Sequence, residues 1–492
     1  MAQYLIAHDL GTSGNKATLF TVDGKFLTSC VIPYDVHYFG QNYAEQDPDN
    51  WWNAVCLATK RVLEGISPSA VSAVSFSAQM QCCLMADKDG NPLRPAIIWA
   101  DQRAVKEADR LEKEVGFDRV YEITGHRLSP GYTIEKVMWI KENEPEVYAK
   151  TEKVLQAKDY ILFRLTGIFA TDYSDASGTN AFDLEALDWS EEILQAAGIS
   201  AKKLPQLHAS TDVIGTVTKE AAAATGLCEG TPVVCGGGDG PCAALGAGCI
   251  HENQLFTTFG TSAWIGGTTK KKFLDEEKVF FCFAHVIPGC YMPCGAMQAA
   301  GSSYSYIRTV LGADKSYEEL NRMIEQSPAG AKELVFLPYL LGERSPRWNS
   351  KTSGAFLGIR MHHREQDYIR AVLEGVGYNL ELILQAYRRY LTVDSMILTG
   401  GAAKGDVVCQ ILSDIFSVRL HTPDHVEEAT SIAAAMIAGV GAGVYDSFDE
   451  IERFLKLQKE YIPNNKNEKI YEKLKGIFDS SYFALQPVFE MF

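Results

Sequence analysis

The first forty residues alternate between apolar runs and short polar turns, which is the pattern of adjacent β-strands. Apolar runs at 4–9 and 16–22 flank a turn of small residues at 11–15. The second run is β-branched and alternating, so it predicts a strand rather than the helix that follows the glycine turn of a P-loop or dinucleotide fold. The triplet DGK at 23–25 predicts a hairpin into a third strand. The chain therefore begins with strand, glycine turn, strand.

The rest of the first half mixes strands with helices. Apolar runs predict strands at 70–78 and 94–99, and helical spacing predicts helices at 48–65, 101–115, 133–148 and 155–166. The half closes with TPVVCGGGDGPCAALGAG at 231–248. This segment predicts a strand, a triple-glycine turn and a helix that begins around Pro241.

The second half repeats this order. QLFTTFGTSAWIGGTT at 254–269 predicts strand, Gly-Thr-Ser turn, strand, and DSMILTGGAAKGDVVCQILSDIF at 394–416 predicts strand, Gly-Gly turn, helix. The repeated order predicts an internal duplication with a boundary near 246–254, and hence one domain at 1–248 and another at 249–492. We expect the tail from about 450 to 492 to be a helical, charged cap on the surface.

Composition narrows the class of partner. A chain of 492 residues is long enough for two or three domains, and its formal charge of −16 argues against a nucleic-acid footprint and a polybasic membrane patch. No apolar run approaches the roughly 18 residues of a transmembrane helix, and the N-terminus does not have the pattern of an export signal. The twelve cysteines form no C-x-x-C pair, so we expect free thiols and a cytoplasmic location.

The two glycine turns suggest a polyphosphate site. Turns without bulky side chains expose backbone N–H groups, and two such turns can hold one polyphosphate from both sides. Lys16 adds a positive charge, and Asp9 can hold Mg²⁺, often through water. Ordinary tight hairpins are the alternative explanation. The turns also supply hydroxyl donors, at Thr12, Ser13, Thr261 and Ser262.

Asp239 is the candidate general base. It lies between a strand end and the mouth of a helix, where an acid is either a cap or a carboxylate aimed at a substrate. Phosphoryl transfer to an alcohol needs a carboxylate that accepts the hydroxyl proton. The segment TGGAAKGD at 399–406 offers backbone without bulk, on which a flat adenosine could lie, although close helix–sheet packing would also explain it.

Two polar stretches are candidates for an acceptor site. SFSAQMQCCL carries Gln79 and Gln81 at a strand end, and IIWADQRA carries Trp99, Asp101 and Arg103 after another strand. These side chains could hydrogen-bond a polyol. Alternatively, Asp101 and Arg103 pair locally at a helix start.

Taken together, these motifs resemble the FGGY family of carbohydrate kinases over almost the whole chain. DLGTSGNK is similar to the family's first phosphate motif, TFGTSAW to its second, and TGGAAKGDVVCQILSDI to its adenosine motif. GYTIEKVMWIKEN at 131–143 and GAFLGIRMHHREQDYIRAVLE at 354–374 resemble the two family signatures. YAEQDPDNWW and WADQR resemble further recurring blocks.

The resemblance implies an α/β fold of two actin/hexokinase-like (RNase H-like) domains with a cleft between them. It implies ATP-dependent phosphorylation of a sugar or polyol, with Asp239 as the catalytic base and no partner other than the sugar and ATP; a homodimer is left open. By motif position, the residues implied at the nucleotide are Thr12, Ser13, Lys16, Thr261, Gly301, Gly401 and Gly405. Those implied at the acceptor are Met80, Gln81, Asp239 and Gly240.

Within the family, the similarity is greatest to the xylulokinases, which phosphorylate D-xylulose to D-xylulose 5-phosphate. Two positions depart from their usual residues: Gln81 stands in place of histidine, and Gly240 in place of asparagine. Glycerol kinases are less similar to this chain at the pair Met80-Gln81 and at Gly131. Gluconate, ribulose or a deoxy-ketose therefore remain alternative acceptors, and a non-metabolic ATPase of the same superfold is the alternative of another class.

Overall fold

A computed structural model describes residues 3–311, 315–425 and 427–492. Within these ranges the chain forms twenty-five strands, many of them short. They are β1 Tyr4–Leu10, β2 Gly14–Thr21, β3 Phe26–Pro33, β4 His37–Phe39, β5 Tyr43–Gln46, β6 Val71–Ala78, β7 Leu84–Ala86, β8 Ala96–Ile97, β9 Lys153–Leu155, β10 Ala170–Asp172, β11 Phe182–Asp183, β12 Asp188–Trp189, β13 Gln206–His208, β14 Val213–Thr216, β15 Pro232–Val234, β16 Gly237–Gly238, β17 Leu255–Phe259, β18 Ala263–Gly267, β19 Phe281–Ala284, β20 Tyr291–Met297, β21 Val335–Leu337, β22 Ala355–Leu357, β23 Ser395–Thr399, β24 Arg419–Pro423 and β25 Leu457–Tyr461.

Sixteen α-helices occur in the same described ranges. They are α1 Pro48–Val62, α2 Val105–Val115, α3 Phe117–Thr124, α4 Thr133–Asn143, α5 Pro145–Lys150, α6 Ala157–Thr166, α7 Tyr173–Ser177, α8 Glu191–Ala197, α9 Lys219–Thr225, α10 Asp239–Gly246, α11 Gly301–Leu311, α12 Tyr317–Glu325, α13 Glu365–Arg388, α14 Asp406–Phe416, α15 Ala429–Gly441 and α16 Glu468–Phe489.

The first sheet is built around the predicted β1–β2 hairpin. Its strand order is β14-β15-β6-β1-β2-β3, and β16 pairs with the end of β6. Strand β1 is antiparallel to β2 and parallel to β6. Leu5, Ile6 and Ala7 are all fully buried. A strand covered on both faces needs apolar residues on both, which explains the unbroken apolar run at its start.

The second sheet repeats this plan in the order β19-β20-β18-β17-β23-β24-β25. Strand β17 is antiparallel to β18 and parallel to β23, just as β1 relates to β2 and β6. However, the segments 231–248 and 394–416, which the sequence analysis treated as equivalent, do not occupy equivalent positions. Strand β23, at the start of 394–416, has the position of β6. Strand β15 and helix α10 correspond instead to β24 and α15. The long stretch between β6 and β15 hides this relationship in the sequence.

Helices α10 and α15 pack against each other between the two sheets. On α15, Ile432 joins the cluster that contains Leu5 of β1, and on α10, Ala244 joins the cluster that contains Phe256 of β17. A Cβ on Gly246 would lie only 1.7 Å from the carbonyl oxygen of Ala429, so the helices touch backbone to backbone there. Helix α15, from the second half of the chain, therefore covers the first sheet.

Several predicted boundaries are wrong for local reasons. Only Ala96–Ile97 of the run at 94–99 is a strand. The helix predicted at 133–148 is two helices, because Pro145 starts a new one at α5. The helix predicted to begin around Pro241 is confirmed as α10: it begins at Asp239, and Pro241 lies in its first turn, where a missing N–H costs no hydrogen bond.

The tail is only partly the helical cap that the sequence predicts. Strand β25 lies within it and pairs with β24 at the edge of the second sheet. Helix α16 buries Tyr471, Leu474 and Phe478 in the core of the second half, so its role is structural rather than superficial. No helix among the described residues is long and apolar enough to cross a membrane. All twelve cysteines lie in the described ranges and are free thiols.

Candidate active site

The β1–β2 turn is held in place by side chains from three other segments. The hydroxyl of Tyr34 donates to the carbonyl of Gly11 at 2.6 Å, and the amide of Gln46 donates to the carbonyl of Thr12 at 2.7 Å. The indole N–H of Trp99 donates to the hydroxyl of Thr12 at 2.9 Å. That hydroxyl keeps its own proton free to donate, and the neighbouring Ser13 is exposed. The turn thus presents two hydroxyl groups from a fixed backbone.

Asp9 and Lys16 are directly opposite each other on β1 and β2. Both contact the segment that leads into α15, more than 400 residues further along the chain. The Lys16 ammonium lies 3.1 Å from a carboxylate oxygen of Glu428 and donates to the carbonyl of Glu427 at 3.0 Å. Asp9 accepts a 2.7 Å hydrogen bond from the hydroxyl of Thr430. The predicted acid and lysine therefore lie where the two halves of the chain meet.

The second glycine turn, between β17 and β18, rests on the start of α11. The carbonyl of Thr261 accepts hydrogen bonds from the N–H groups of Ala300 and Ser302, and Gly301 donates to the carbonyl of Gly260 at 2.9 Å. A Cβ on Gly301 would lie 2.3 Å from that same oxygen, so only glycine allows this approach. Gly301 is thus placed beside Thr261, as the motif order implied.

The adenosine-motif turn contacts the second glycine turn and shares Glu427 as a partner with Lys16 of the first hairpin. A Cβ on Gly400 would be 2.8 Å from a backbone oxygen at the end of β17, which brings this turn against the second one. Gly401 is exposed with nothing within 4 Å of a Cβ, whereas Gly405 is buried. The ammonium of Lys404 lies 2.7 Å from the carboxylate of Glu427. The backbone carbonyl of the same Glu427 accepts the hydrogen bond from Lys16. The three predicted nucleotide motifs thus converge.

Asp239 is the first residue of α10 and is half-buried. Asp9 and Gly237 are both paired with Ser77 of β6, so β1 and β16 flank the same end of β6, and Asp239 directly follows β16. One oxygen of Asp239 accepts from the N–H of Gly240 at 2.8 Å. Burial, and secondarily the negative charge of Asp9, raise the pKa of Asp239 to about 7. Such a carboxyl exchanges a proton readily near neutral pH.

A buried polar network fixes the strand end that carries Asp239. The N–H of Gly238 donates to the hydroxyl of Ser174 at 3.0 Å, and that hydroxyl donates to Asp172 at 2.5 Å. Asp172 also accepts from Ser210 at 2.7 Å and lies 3.2 Å from the ammonium of Lys158. The sequence analysis missed these residues, because nothing in their spacing distinguishes them from polar residues of a loop.

The two residues after β6, Met80 and Gln81, have different roles: Met80 packs in the interior, whereas the Gln81 side chain makes no hydrogen bond among the described residues. Met80 is buried, and a Cβ on Gly238 would lie 2.6 Å from its sulfur. Gln81 adopts a left-handed backbone conformation with φ of 63°, and its side-chain amide has no hydrogen-bond partner among the described residues. Gly240 has room beside it, since a Cβ there would lie 3.6 Å from Met292. Gln81 and Gly240 are therefore able to shape an acceptor site.

The other polar stretch is largely buried. Asp101 is completely buried, and its oxygens accept from the backbone N–H of Ala44 at 2.6 Å and from the guanidinium of Arg103. This is the local pairing that the sequence left as the alternative, and it leaves no carboxylate facing an acceptor. Gln79 is also buried and donates to Gln46, whose amide holds the first turn. Only Trp99 of this stretch is substantially exposed.

Known proteins share this arrangement from end to end. Residues 4–246 match the N-terminal domain, and residues 255–442 the C-terminal domain, of the FGGY family of carbohydrate kinases. The chain belongs to this family. The Bacillus subtilis protein named xylulose kinase is 32% identical over 98% of this chain and 97% of its own length.

Solved structures of FGGY kinases have the same fold. A xylulose kinase from Lactobacillus acidophilus superposes with a TM-score of 0.94 at 29% identity, covering 99% of both chains. A gluconate kinase from the same organism superposes with a TM-score of 0.93, also at 29% identity, covering 98% of both chains. The expected two-domain actin/hexokinase-like fold and the expected carbohydrate kinase are confirmed.

Proposed function

We propose that this FGGY kinase transfers the terminal phosphoryl group of ATP to a hydroxyl of D-xylulose, giving D-xylulose 5-phosphate and ADP. The observation that carries the proposal is Asp239, a half-buried carboxylate at the start of α10 with a pKa near 7. A sugar hydroxyl is a poor nucleophile, and its proton must leave as the phosphoryl group arrives. Asp239 is the group best placed to accept that proton.

The polyphosphate would lie between the two glycine turns. We assign Thr12, Ser13 and Lys16 to it from the first half, and Thr261 and Gly301 from the second. Lys16 would have to exchange part of its contact with Glu428 for phosphate oxygens. Gly401 and Gly405 would form the adenosine surface, which is supported by the exposed backbone at Gly401.

The residues present suit a magnesium ion that is held mostly by water and phosphate. No group of three or more Asp, Glu, His or Cys side chains within the described residues could hold a metal by itself. Mg²⁺ commonly uses one or two carboxylates together with substrate phosphates, and Asp9 provides such a carboxylate. When bound, the ion neutralises the charge that develops on the phosphate oxygens. In the ligand-free protein, the charge of Asp9 contributes, after burial, to the raised pKa of Asp239.

Gluconate is the second candidate acceptor. The solved xylulose and gluconate kinases are equally similar to this chain, so overall similarity does not separate the two sugars. Gln81 and Gly240, which depart from the usual xylulokinase residues, lie where the acceptor would bind. Ribulose and deoxy-ketoses stay open for the same reason.

A coupled ADP-release assay over ketoses, polyols and aldonates tests the function. We expect little ADP without a sugar and the highest kcat/KM with D-xylulose. Equal ADP release with and without every sugar would indicate an ATPase instead. A preference for gluconate would keep the kinase and replace the acceptor.

The setting of the enzyme is also proposed. The twelve free thiols support a reducing, cytoplasmic location. The family matches ending at 246 and beginning at 255 support a division into domains at 1–248 and 249–492. A homodimer is the assembly to test, by sedimentation of the purified protein.

A further inference from the structure

Lys136 is a fully buried lysine whose charge has no carboxylate partner among the described residues. It lies in the first turns of α4. A buried ammonium is costly unless all its protons find acceptors. Here the three acceptors are backbone carbonyls, those of Gln81 at 2.8 Å, Ile98 at 2.8 Å and Gly131 at 2.6 Å.

These three carbonyls belong to three separate loops. Gln81 follows β6, Ile98 precedes Trp99 after β8, and Gly131 precedes α4. Gln81 and Trp99 are candidate acceptor residues, and a Cβ on Gly131 would lie 3.2 Å from the carbonyl oxygen of Trp99. One ammonium group therefore joins the two loops that carry these candidates to the loop packed against them.

The contact at Gln81 has a particular consequence. A non-glycine residue with φ of 63° is in a sparsely populated backbone region, which is retained only where the surroundings enforce it. The hydrogen bond from Lys136 to the carbonyl of Gln81 is such a constraint. It holds the backbone from which the unpartnered Gln81 side chain extends.

Burial lowers the pKa of Lys136 to about 8, so the side chain is still largely protonated at neutral pH. The groups around it are the thiols of Cys82 and Cys83 and the carboxylates of Asp101 and Glu135. None of these forms an ion pair with it within the described residues.

We propose that Lys136 is a positioning residue for the acceptor sugar, which holds the loops of Gln81, Trp99 and Gly131 in their binding arrangement by three hydrogen bonds to backbone carbonyls. This inference rests on the proposed function, since it deepens the acceptor site. It assigns no contact between Lys136 and the sugar or the nucleotide.

The test compares Lys136→Met with Ile140→Ala, a change at a fully buried residue of the same helix. Hydrogen bonds to charged groups are worth enough that we expect Lys136→Met to raise the KM for the sugar at least about tenfold. The KM for ATP should stay within about twofold. Ile140→Ala should lower the melting temperature without changing the KM for the sugar.

A second readout works without any activity. Amide hydrogen exchange of the ligand-free protein should become at least about tenfold faster at 79–83, 97–101 and 129–133 in Lys136→Met, but not in Ile140→Ala. If the wild-type enzyme phosphorylates no sugar, the proposed function fails. The exchange measurement still tests whether Lys136 holds the three loops together.

Three results would overturn the inference. They are an unchanged KM for the sugar, a parallel rise in both KM values, and unchanged exchange in the three loops. If Lys136→Met does not fold, Lys136→Gln, which keeps a shorter donor, is measured in the same way. Failure of both variants to fold would show a general structural role and contradict a role in positioning the acceptor.

Discussion

Asp239 is the first residue of α10, and Gly238 is the N-cap residue, so the side chain of Asp239 does not cap the helix. One oxygen of its carboxylate accepts from the N–H of the adjacent Gly240. Asparagine has nearly the same shape as aspartate but cannot accept a proton. We expect Asp239→Asn to lower kcat roughly 10²–10⁴-fold, the usual worth of general-base catalysis, with sugar and ATP binding largely kept. We would measure kcat and the melting temperature of this variant together, because a near-normal kcat would exclude Asp239 as the catalytic base and leave it a structural role only.

The raised pKa of Asp239 also predicts a pH dependence. The base works when ionised, so kcat/KM should fall about tenfold per pH unit below pH 7. For stability the sign is opposite. The folded state binds this proton more tightly than the unfolded chain, so the stabilisation is present at low pH and is lost as the pH rises through about 7. The difference in melting temperature between Asp239→Asn and the wild type should therefore shift in favour of the variant when the pH is raised from 5 to 8. An equal difference at both pH values would contradict the raised pKa.

Gln81 and Gly240 make the acceptor preference testable. The Gln81 amide has no partner within the described residues, and a Cβ at position 240 would meet Met292 only at ordinary contact distance. Gln81→His and Gly240→Asn, singly and together, restore the usual xylulokinase residues. We expect the ratio of the kcat/KM values for different sugars to change by about tenfold, which alters their ranking. The KM for ATP should stay near that of the wild type. Leu27→Ala, at an exposed strand position, is the control. An unmoved ranking across the panel would remove both residues from specificity.

At the residue scale, candidate residues for the chemistry are easier to recognise in the sequence than the residues that support them. Asp9, Lys16 and Asp239 stand at strand ends and glycine turns, where motifs are readable. Asp101 is as polar as these three but is fully paired with its neighbours, and only the three-dimensional contacts show this. Lys136 stands within a recognisable signature, yet its role depends on carbonyls up to 55 residues away.

At the element scale, the start of α11 supports the second glycine turn. Gly301 donates to the carbonyl of Gly260, and a Cβ would lie 2.3 Å from that oxygen, which is backbone and cannot move aside alone. We expect Gly301→Ala to displace the turn and raise the KM for ATP at least about tenfold, with the KM for the sugar little changed. Gly476→Ala is the matched control, because nothing lies within 4 Å of a Cβ there. Wild-type ATP kinetics in Gly301→Ala would show that the turn does not bind nucleotide.

The same scale shows why element order could be predicted and element equivalence could not. Both strand–turn–strand hairpins are visible in the sequence, because their turns and apolar runs are local. The match of β15 and α10 to β24 and α15 depends on sheet neighbours that the chain separates by a long insertion. Strand β25 was missed because its exposed residues, such as Leu457, carry no alternating pattern.

At the scale of the whole molecule, contacts between distant parts of the chain meet at the proposed phosphate site. Lys16 and Asp9 of the first sheet contact Glu428 and Thr430 at the start of α15. The backbone contact of Gly246 with Ala429 lies at the crossing of the two central helices. A ligand that binds both glycine turns would therefore contact both halves of the chain and could draw them together.

We accordingly predict that the two halves close when both substrates bind. Closure would complete the phosphate site and exclude water from the transfer step. Small-angle scattering should give a smaller radius of gyration with sugar plus a non-hydrolysable ATP analogue than for the free protein. Each ligand alone should give a smaller decrease, because each contacts mainly one side of the cleft. Asp239→Asn, which keeps binding, should close like the wild type and so separates closure from chemistry. An unchanged radius with both sites saturated would mean that the cleft is already closed, and that Lys16 exchanges its contact with Glu428 for phosphate without any movement of the halves.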